Sequence, residues 1–291
     1  MIHQLLNTIA PVFIIILLGW GWARLKYNYD SPTITALVMN IGAPSLVFTS
    51  LSTLSISKSL VGQMGVASVV TLALTGVVGF VILKIIRLDV RSFLSPLMFG
   101  NIGNIGLSLC YFAFGPEGLA LAIVVFAVYA IGTMTLGLWM YSGENNPVHL
   151  LKAPIVYSIF LALFFLLQGI EPPDWIIKTT RLLGDFTIPL MLFTLGVSLA
   201  RLKITRLKRA IAMSFLRIGL GLGVGILVSH LLGLTGTARS VLIIQSSMPV
   251  AVFNYLLAEQ YNRNSKEVAE LVFMSTLISL LTIPLILHFF T

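Results

Sequence analysis

The chain has 291 residues, of which 57% are hydrophobic and 10% charged; Lys+Arg 18 against Asp+Glu 10 gives a formal net charge of +8, and the mean hydropathy is +1.00. Ordinary soluble domains carry about 25% charged residues, so this chain has too little polar surface to face water, and the lipid bilayer is the solvent that accepts it. Composition therefore excludes a soluble enzyme, a nucleic-acid-binding domain and a secreted disulfide scaffold, and the single cysteine, Cys110, excludes an intrachain disulfide or a cysteine-based metal cluster.

A membrane-spanning helix needs about 20 apolar residues. Taken in order, such segments run over 4–24, 32–52, 60–84, 92–114, 117–141, 149–168, 174–200, 208–232, 238–259 and 267–290. The first lacks a basic leading stretch and a small-residue cleavage site, and so reads as a transmembrane helix and not a signal peptide. No loop between the segments is long enough to hold a soluble domain. Trp20, Trp22, Trp139, Tyr141 and Trp175 lie near segment ends, where amphipathic rings anchor at the interface. Placing both termini outside puts thirteen Lys and Arg in the cytoplasmic loops, among them Arg24, Lys26, Lys84, Arg87, Arg91, Lys152, Lys203, Arg206 and Arg263. The outer loops then carry four: Lys58, Lys178, Arg181 and Arg239. That asymmetry sets the expected orientation of a multi-pass protein of the cell membrane, and it explains the basic surplus through headgroups and topology, with no nucleic acid as partner.

Residues 37–54 (LVMNIGAPSLVFTSLSTL) resemble residues 182–199 (LLGDFTIPLMLFTLGVSL). Pro44 faces Pro189, Phe48 faces Phe193, Thr49 faces Thr194 and Asn40 faces Asp185. The offset of 145 is close to half of 291. Five helices per half is an odd number, so the second half, 146–291, must insert upside down relative to the first, 1–145. The expectation is an all-α membrane protein of ten transmembrane helices, built as two inverted five-helix repeats. Such repeats bind a substrate at their shared midplane, between discontinuous helices marked by Gly or Pro in corresponding positions.

Two segments carry those marks. Segment 4 reads SPLMFGNIGNIGLSLCYFAFG, with Gly100, Gly103 and Gly106 interleaved with Asn101 and Asn104. Segment 9 holds Gln245, Ser246 and Ser247 ahead of Pro249. Glycine lets the backbone leave helical geometry, and proline removes an N–H and clashes with the preceding turn. Crossed broken helices aim half-helix N-termini, which carry partial positive charge, at one point that suits an anion. The plain alternative is close packing at the glycines and an ordinary kink at the proline.

The stretches GNIGNIGLSL at 100–109, LGDFTIPLMLFTLGVSLA at 183–200, SSMPVAVFNYLLAEQY at 246–261 and FMSTLISLLTIP at 273–284 resemble the auxin efflux carrier family, which includes plant PIN-type carriers and bacterial malonate and other organic-acid permeases. The resemblance covers essentially the whole chain. It implies a crossover of helices 4 and 9, a scaffold of helices 1, 2, 6 and 7, and a transport domain of helices 3–5 and 8–10 that moves like an elevator. It further implies a carboxylate or other small organic anion as substrate and a homodimer; no cofactor or metal is expected. The candidate substrate-binding residues are Asn101, Asn104, Ser108, Gln245, Ser246, Pro249, Asn254 and Arg217; Asp185, Asn40, Pro44 and Pro189 are candidates for coupling or for the scaffold interface. The family usually has proline after Gly-Leu in helix 4, where this chain has Ser108. Aligning Ser108 with Pro249 brings Asn104 opposite Gln245, and the first break then rests on its glycines.

Arg217 lies about ten residues into segment 8, where a charge needs a cavity or a partner. It reads as the counter-ion of a substrate carboxylate, or as half of an ion pair, or as a side chain snorkelling toward the basic loop. Asp185 reads as a proton-coupling carboxylate, or as the i,i+4 partner of Arg181. His3, His149, His230 and His288 lack metal-ligand spacing, and no GxxxxGK[ST] motif is present to bind nucleotide. The expected function is a secondary-active or facilitative carrier that exports a small organic anion, and not an enzyme. The alternative is a sodium-coupled organic-anion symporter of the bile-acid type.

Overall fold

The structure, a computed structural model, describes residues 2–53, 57–143, 154–201 and 207–290. The regular elements of those residues are all helices, with one isolated bridge of extended backbone between Gly100 and Val250. In order, the helices are α1 (Ile2–Arg24), α2 (Ser31–Leu37), α3 (Ala43–Ser52), α4 (Lys58–Ile85), α5 (Val90–Met98), α6 (Leu107–Gly132) and α7 (Leu138–Ser142). After them come α8 (Pro154–Gln168), α9 (Asp174–Asp185), α10 (Thr187–Arg201), α11 (Leu207–Leu231), α12 (Gly236–Ser246), α13 (Val252–Gln260) and α14 (Ser265–Phe290). Three wider turns, Val38–Gly42, Ile102–Gly106 and Thr133–Gly137, have π-helical bonding. The expected half boundary at 145/146 lies outside the described residues, as do His149, Lys152, Lys203 and Arg206.

A helix satisfies its own backbone and so tolerates an apolar solvent. Among the described residues, six helical stretches are long and apolar enough to cross a membrane: Thr33–Ser52, Lys58–Ile85, Ile102–Ser142, Asp174–Ala200, Leu207–Leu231 and Ser265–Phe290; Ala10–Arg24 and Pro154–Leu166 are shorter apolar helices. Polar caps set several starts. Asp30 accepts from the Thr33 N–H ahead of α2, Ser57 from Leu60 ahead of α4, and Asp89 from Arg91 and Ser92 ahead of α5. The turn expected between segments 4 and 5 is a break at Gly115, with φ 64 and ψ −154, just before Pro116.

The helices assort into two packed groups. In the first, α1 lies along α10, and α3 lies along α8 and α9. The α1–α10 approach is close enough that a Cβ on Gly19 would collide with the Phe193 carbonyl, and one on Gly196 with the Ile16 carbonyl. Both bent helices of this group bend at matching places. The turn Val38–Gly42 precedes Pro44, and the interruption at Phe186 precedes Pro189. Proline cannot donate to the carbonyl four residues back, and those carbonyls belong to Asn40 and Asp185. In the second group, α11 packs on α4, α12 and α14, α4 on α5 and α6, and α12 on α6.

Candidate functional site

Segment 4 leaves helical geometry at Phe99–Asn101, after α5 ends at Met98. Asn101 then restarts the helix: its side-chain oxygen accepts from the Asn104 N–H at 3.3 Å. Segment 9 opens after Ser246 and resumes at Val252. Pro249 brings no N–H to this stretch, and the Val250 N–H goes to Ser275 Oγ at 3.0 Å. The two open stretches meet each other. Gly100 and Val250 pair antiparallel, the Asn101 N–H donates to the Pro249 oxygen at 2.6 Å, and the Ala251 N–H donates to the Phe99 oxygen at 3.3 Å. Asn254 ties the crossing to α5. Its Nδ2 donates to the Phe99 oxygen at 2.9 Å, and its Oδ1 accepts from Ser95 Oγ at 2.7 Å. Backbone groups freed by the two breaks, which lipid could not satisfy, thus satisfy one another.

On one side of the crossing, two helices begin. The turn Ile102–Gly106 and α13 both present their first residues to a cavity of about 190 Å3. The first N–H groups of a helix lack intrahelical acceptors and carry the positive end of its dipole. Asn101, Asn104, Ala251, Val252 and Asn254 line this wall; the opposite wall comes from Thr35 and Met39, Ile155 of α8, and Met191, Thr194 and Ser198 of α10, with Tyr129 and Thr133 at the side. The cavity therefore lies between the two packed groups.

The structure brings three of the eight candidate binding residues to this cavity: Asn101, Asn104 and Asn254. Asn101 and Asn254 are buried, and Asn104 is half-buried. The other five lie behind the wall. Ser108 is buried in α6 and donates to the Asn104 carbonyl at 2.7 Å. Gln245 packs against Gly106, and neither of its amide atoms has a partner among the described residues. Ser246 donates to the Ile243 carbonyl at 3.0 Å, and Pro249 contributes its carbonyl to the crossing. Arg217 is 1% exposed and reaches the Ser246 carbonyl with Nη1 at 2.9 Å. In the crossing the partner of Val250 is Gly100, so the first break falls ahead of Asn101, where glycine allows backbone to touch backbone, while Ser108 lies further on, inside α6.

Asp185 lines a second, wider cleft of about 820 Å3, together with Glu117, Arg181, Thr49 and Thr180. No ion pair joins Asp185 to Arg181; the described residues show pairs at Lys178–Asp174 and Arg209–Glu267. Asn40 is exposed and donates to the Ala36 carbonyl at 2.8 Å, while Pro44 is buried and Pro189 exposed. Thr49 and Thr194 make similar bonds. Thr49 bonds Thr180 and Thr194 bonds Tyr29, each hydroxyl to hydroxyl at 2.6 Å. Sequence reasoning missed Thr35, Met39, Tyr129, Thr133, Met191 and Ser198 as wall residues. They are ordinary helix residues, and only Thr194 was marked, by the repeat.

The profile of the family described as membrane transport protein matches residues 4–150 and 142–287. An uncharacterized transporter of Methanocaldococcus jannaschii is 27% identical over 96% of this chain and 97% of its own length. An uncharacterized transporter of Methanothermobacter thermautotrophicus is 28% identical over 96% of each chain. Auxin efflux carrier component 1 of Arabidopsis thaliana is 27% identical over 43% of this chain and 21% of its own length.

Proposed function

The chain belongs to the membrane transport protein family, and from that premise we propose that it is a secondary-active or facilitative carrier of a small organic anion, working by an elevator-like exchange of access. The observation that carries this reading is the cavity on which two helix N-termini and three asparagines converge, at the border of two separately packed groups. Opposed N-terminal dipoles favour a carboxylate there without a full positive charge in contact with it. The asparagine amides add donors that a carboxylate can accept. The group of α1–α3 and α8–α10 would form the scaffold, and α4–α7 with α11–α14 the part that moves.

Matched bends before Pro44 and Pro189, and matched breaks at Gly100 and Val250, support two inverted five-helix halves. Loop basicity supports a cell-membrane protein with both termini outside. The name of the plant relative, an efflux carrier, supports the outward direction, and the resemblance to that family supports a homodimer. The test is transport in vesicles reconstituted with purified protein, after a thermal-shift panel of monocarboxylates, dicarboxylates and indole acids chooses the substrate. Saturable flux of an acid, absent from empty vesicles, is the expected result. Flux of neutral analogues in preference to acids would refute the anion.

A further inference from the structure

Among the described residues Arg217 is the largest fully buried side chain, and neither the Lys178–Asp174 nor the Arg209–Glu267 ion pair involves it. Its Nε and Nη2 have no hydrogen-bond partner among the described residues. A buried cation without a carboxylate is costly, so what faces it matters. The last four carbonyls of α12 can be accounted for one by one. Ile243 and Ile244 accept from the Ser247 N–H, and Gln245 accepts from the Met248 N–H. Ser246 alone is left, and Arg217 Nη1 takes it at 2.9 Å. The guanidinium thus sits at the negative end of α12. Glycines clear its path. A Cβ on Gly221 would strike the Ser246 carbonyl, and a Cβ on Gly100 would strike Arg217 Nη2. Gly100 is itself a wall residue of the cavity, whereas Arg217 is not.

The charge therefore stands one glycine's thickness behind the wall. We propose that Arg217 is a specificity-determining residue that selects the anion without touching it: clamped by the Ser246 carbonyl, it sets a fixed positive potential in the cavity through Gly100. In a poorly solvated interior a unit charge is felt well beyond hydrogen-bond range, and a clamped guanidinium, unlike a contacting one, never has to be stripped from its ligand for release.

This inference rests on the carboxylate reading above, and the experiment separates the two. Binding is measured on detergent-purified protein with three acid–amide pairs of matched shape: malonate and malonamide, phenylacetate and phenylacetamide, indole-3-acetate and indole-3-acetamide. The variants are Arg217→Met, which keeps length and loses charge, and Arg217→Lys, which keeps charge and loses the planar fork. Wild type is expected to prefer one acid over its amide. In Arg217→Met that preference should fall about tenfold or more, and Arg217→Lys should retain most of it. A merely structural role lowers both members of a pair alike and leaves the ratio unchanged; an unchanged ratio in Arg217→Met would overturn the inference and leave the carboxylate reading standing. A wild type without acid preference overturns both. Because a ratio is read on the binding-competent fraction, partial unfolding of a variant does not blur it. If Arg217→Met does not fold at all, Arg217→Lys decides, since loss of its acid preference with the charge retained would equally overturn the role assigned to that charge.

Discussion

Asn101 and Pro249 share a backbone hydrogen bond of 2.6 Å, donated by the Asn101 N–H to the Pro249 oxygen, at the point where two helices break and cross. One residue supplies the cap that restarts its helix; the other supplies an interruption that no N–H can mend. Most of what the cavity can do follows from this contact, because it turns two helix N-termini toward the same space.

Asn104 is half-buried, lines the cavity, and uses its side chain in no hydrogen bond within the described residues. Asn104→Ala should leave the melting temperature of the purified protein within about 2 °C of wild type, since a surface-like truncation costs little. Flux of the chosen acid in vesicles should fall at least tenfold. Wild-type flux in this variant would remove Asn104 from the site.

Asn254 behaves differently, because its amide holds the crossing to Phe99 and Ser95. Asn254→Ala leaves buried groups unpaired and should cost about 2–4 kcal/mol. Thermal unfolding in detergent should shift down by several degrees, in proportion to that loss. A melting point equal to that of Asn104→Ala would show that the two bonds contribute nothing.

Two glycines of α11 separate packing from flexibility. A Cβ on Gly221 meets the Ser246 carbonyl, whereas one on Gly223 meets nothing within 4 Å. Gly221→Ala should destabilise by about 1–3 kcal/mol through overpacking. Gly223→Ala should be neutral, or stabilising by up to about 1 kcal/mol from helix propensity. Equal melting points would mean that α11 and α12 are not in the contact described.

Thr49 and Thr180 join α3 to α9 inside one packed group. In a Cys110→Ser background, Thr49→Cys with Thr180→Cys should cross-link on mild oxidation, because hydroxyls 2.6 Å apart place the two side chains within disulfide reach. If that group is the stationary scaffold, oxidised vesicles should keep most of their flux. Loss of flux on oxidation, restored by reductant, would mean that α3 slides against α9 during transport.

The all-helical class and the location of both breaks are legible in the residues, because apolar length, Gly100 and Pro249 each act through local backbone rules. The bends near Pro44 and Pro189 are legible from proline's missing N–H. The pairing inside the crossing is not. Gly100 meets Val250 through main-chain groups, which every residue type carries, so no side-chain pattern announces that contact. The partner of Arg217 is hidden for the same reason, being the carbonyl of Ser246 and not an acid. The i,i+4 spacing of Arg181 and Asp185 permits an ion pair, yet both face an open cleft and none forms. The far wall of the cavity, from Thr35 to Ser198, is set by how two helix groups lie against each other, which no local pattern encodes.

The bridge between Gly100 and Val250 also bears on inheritance. Neither open stretch has its counterpart within its own half of the chain, so a shift in one is repaired only by a change in the other. Substitutions at 99–101 and at 247–251 are therefore expected to travel together among relatives. A chimaera that joins the first half of one relative to the second half of another would have every helix it needs, and would fail at this single contact unless both parents had kept the same register.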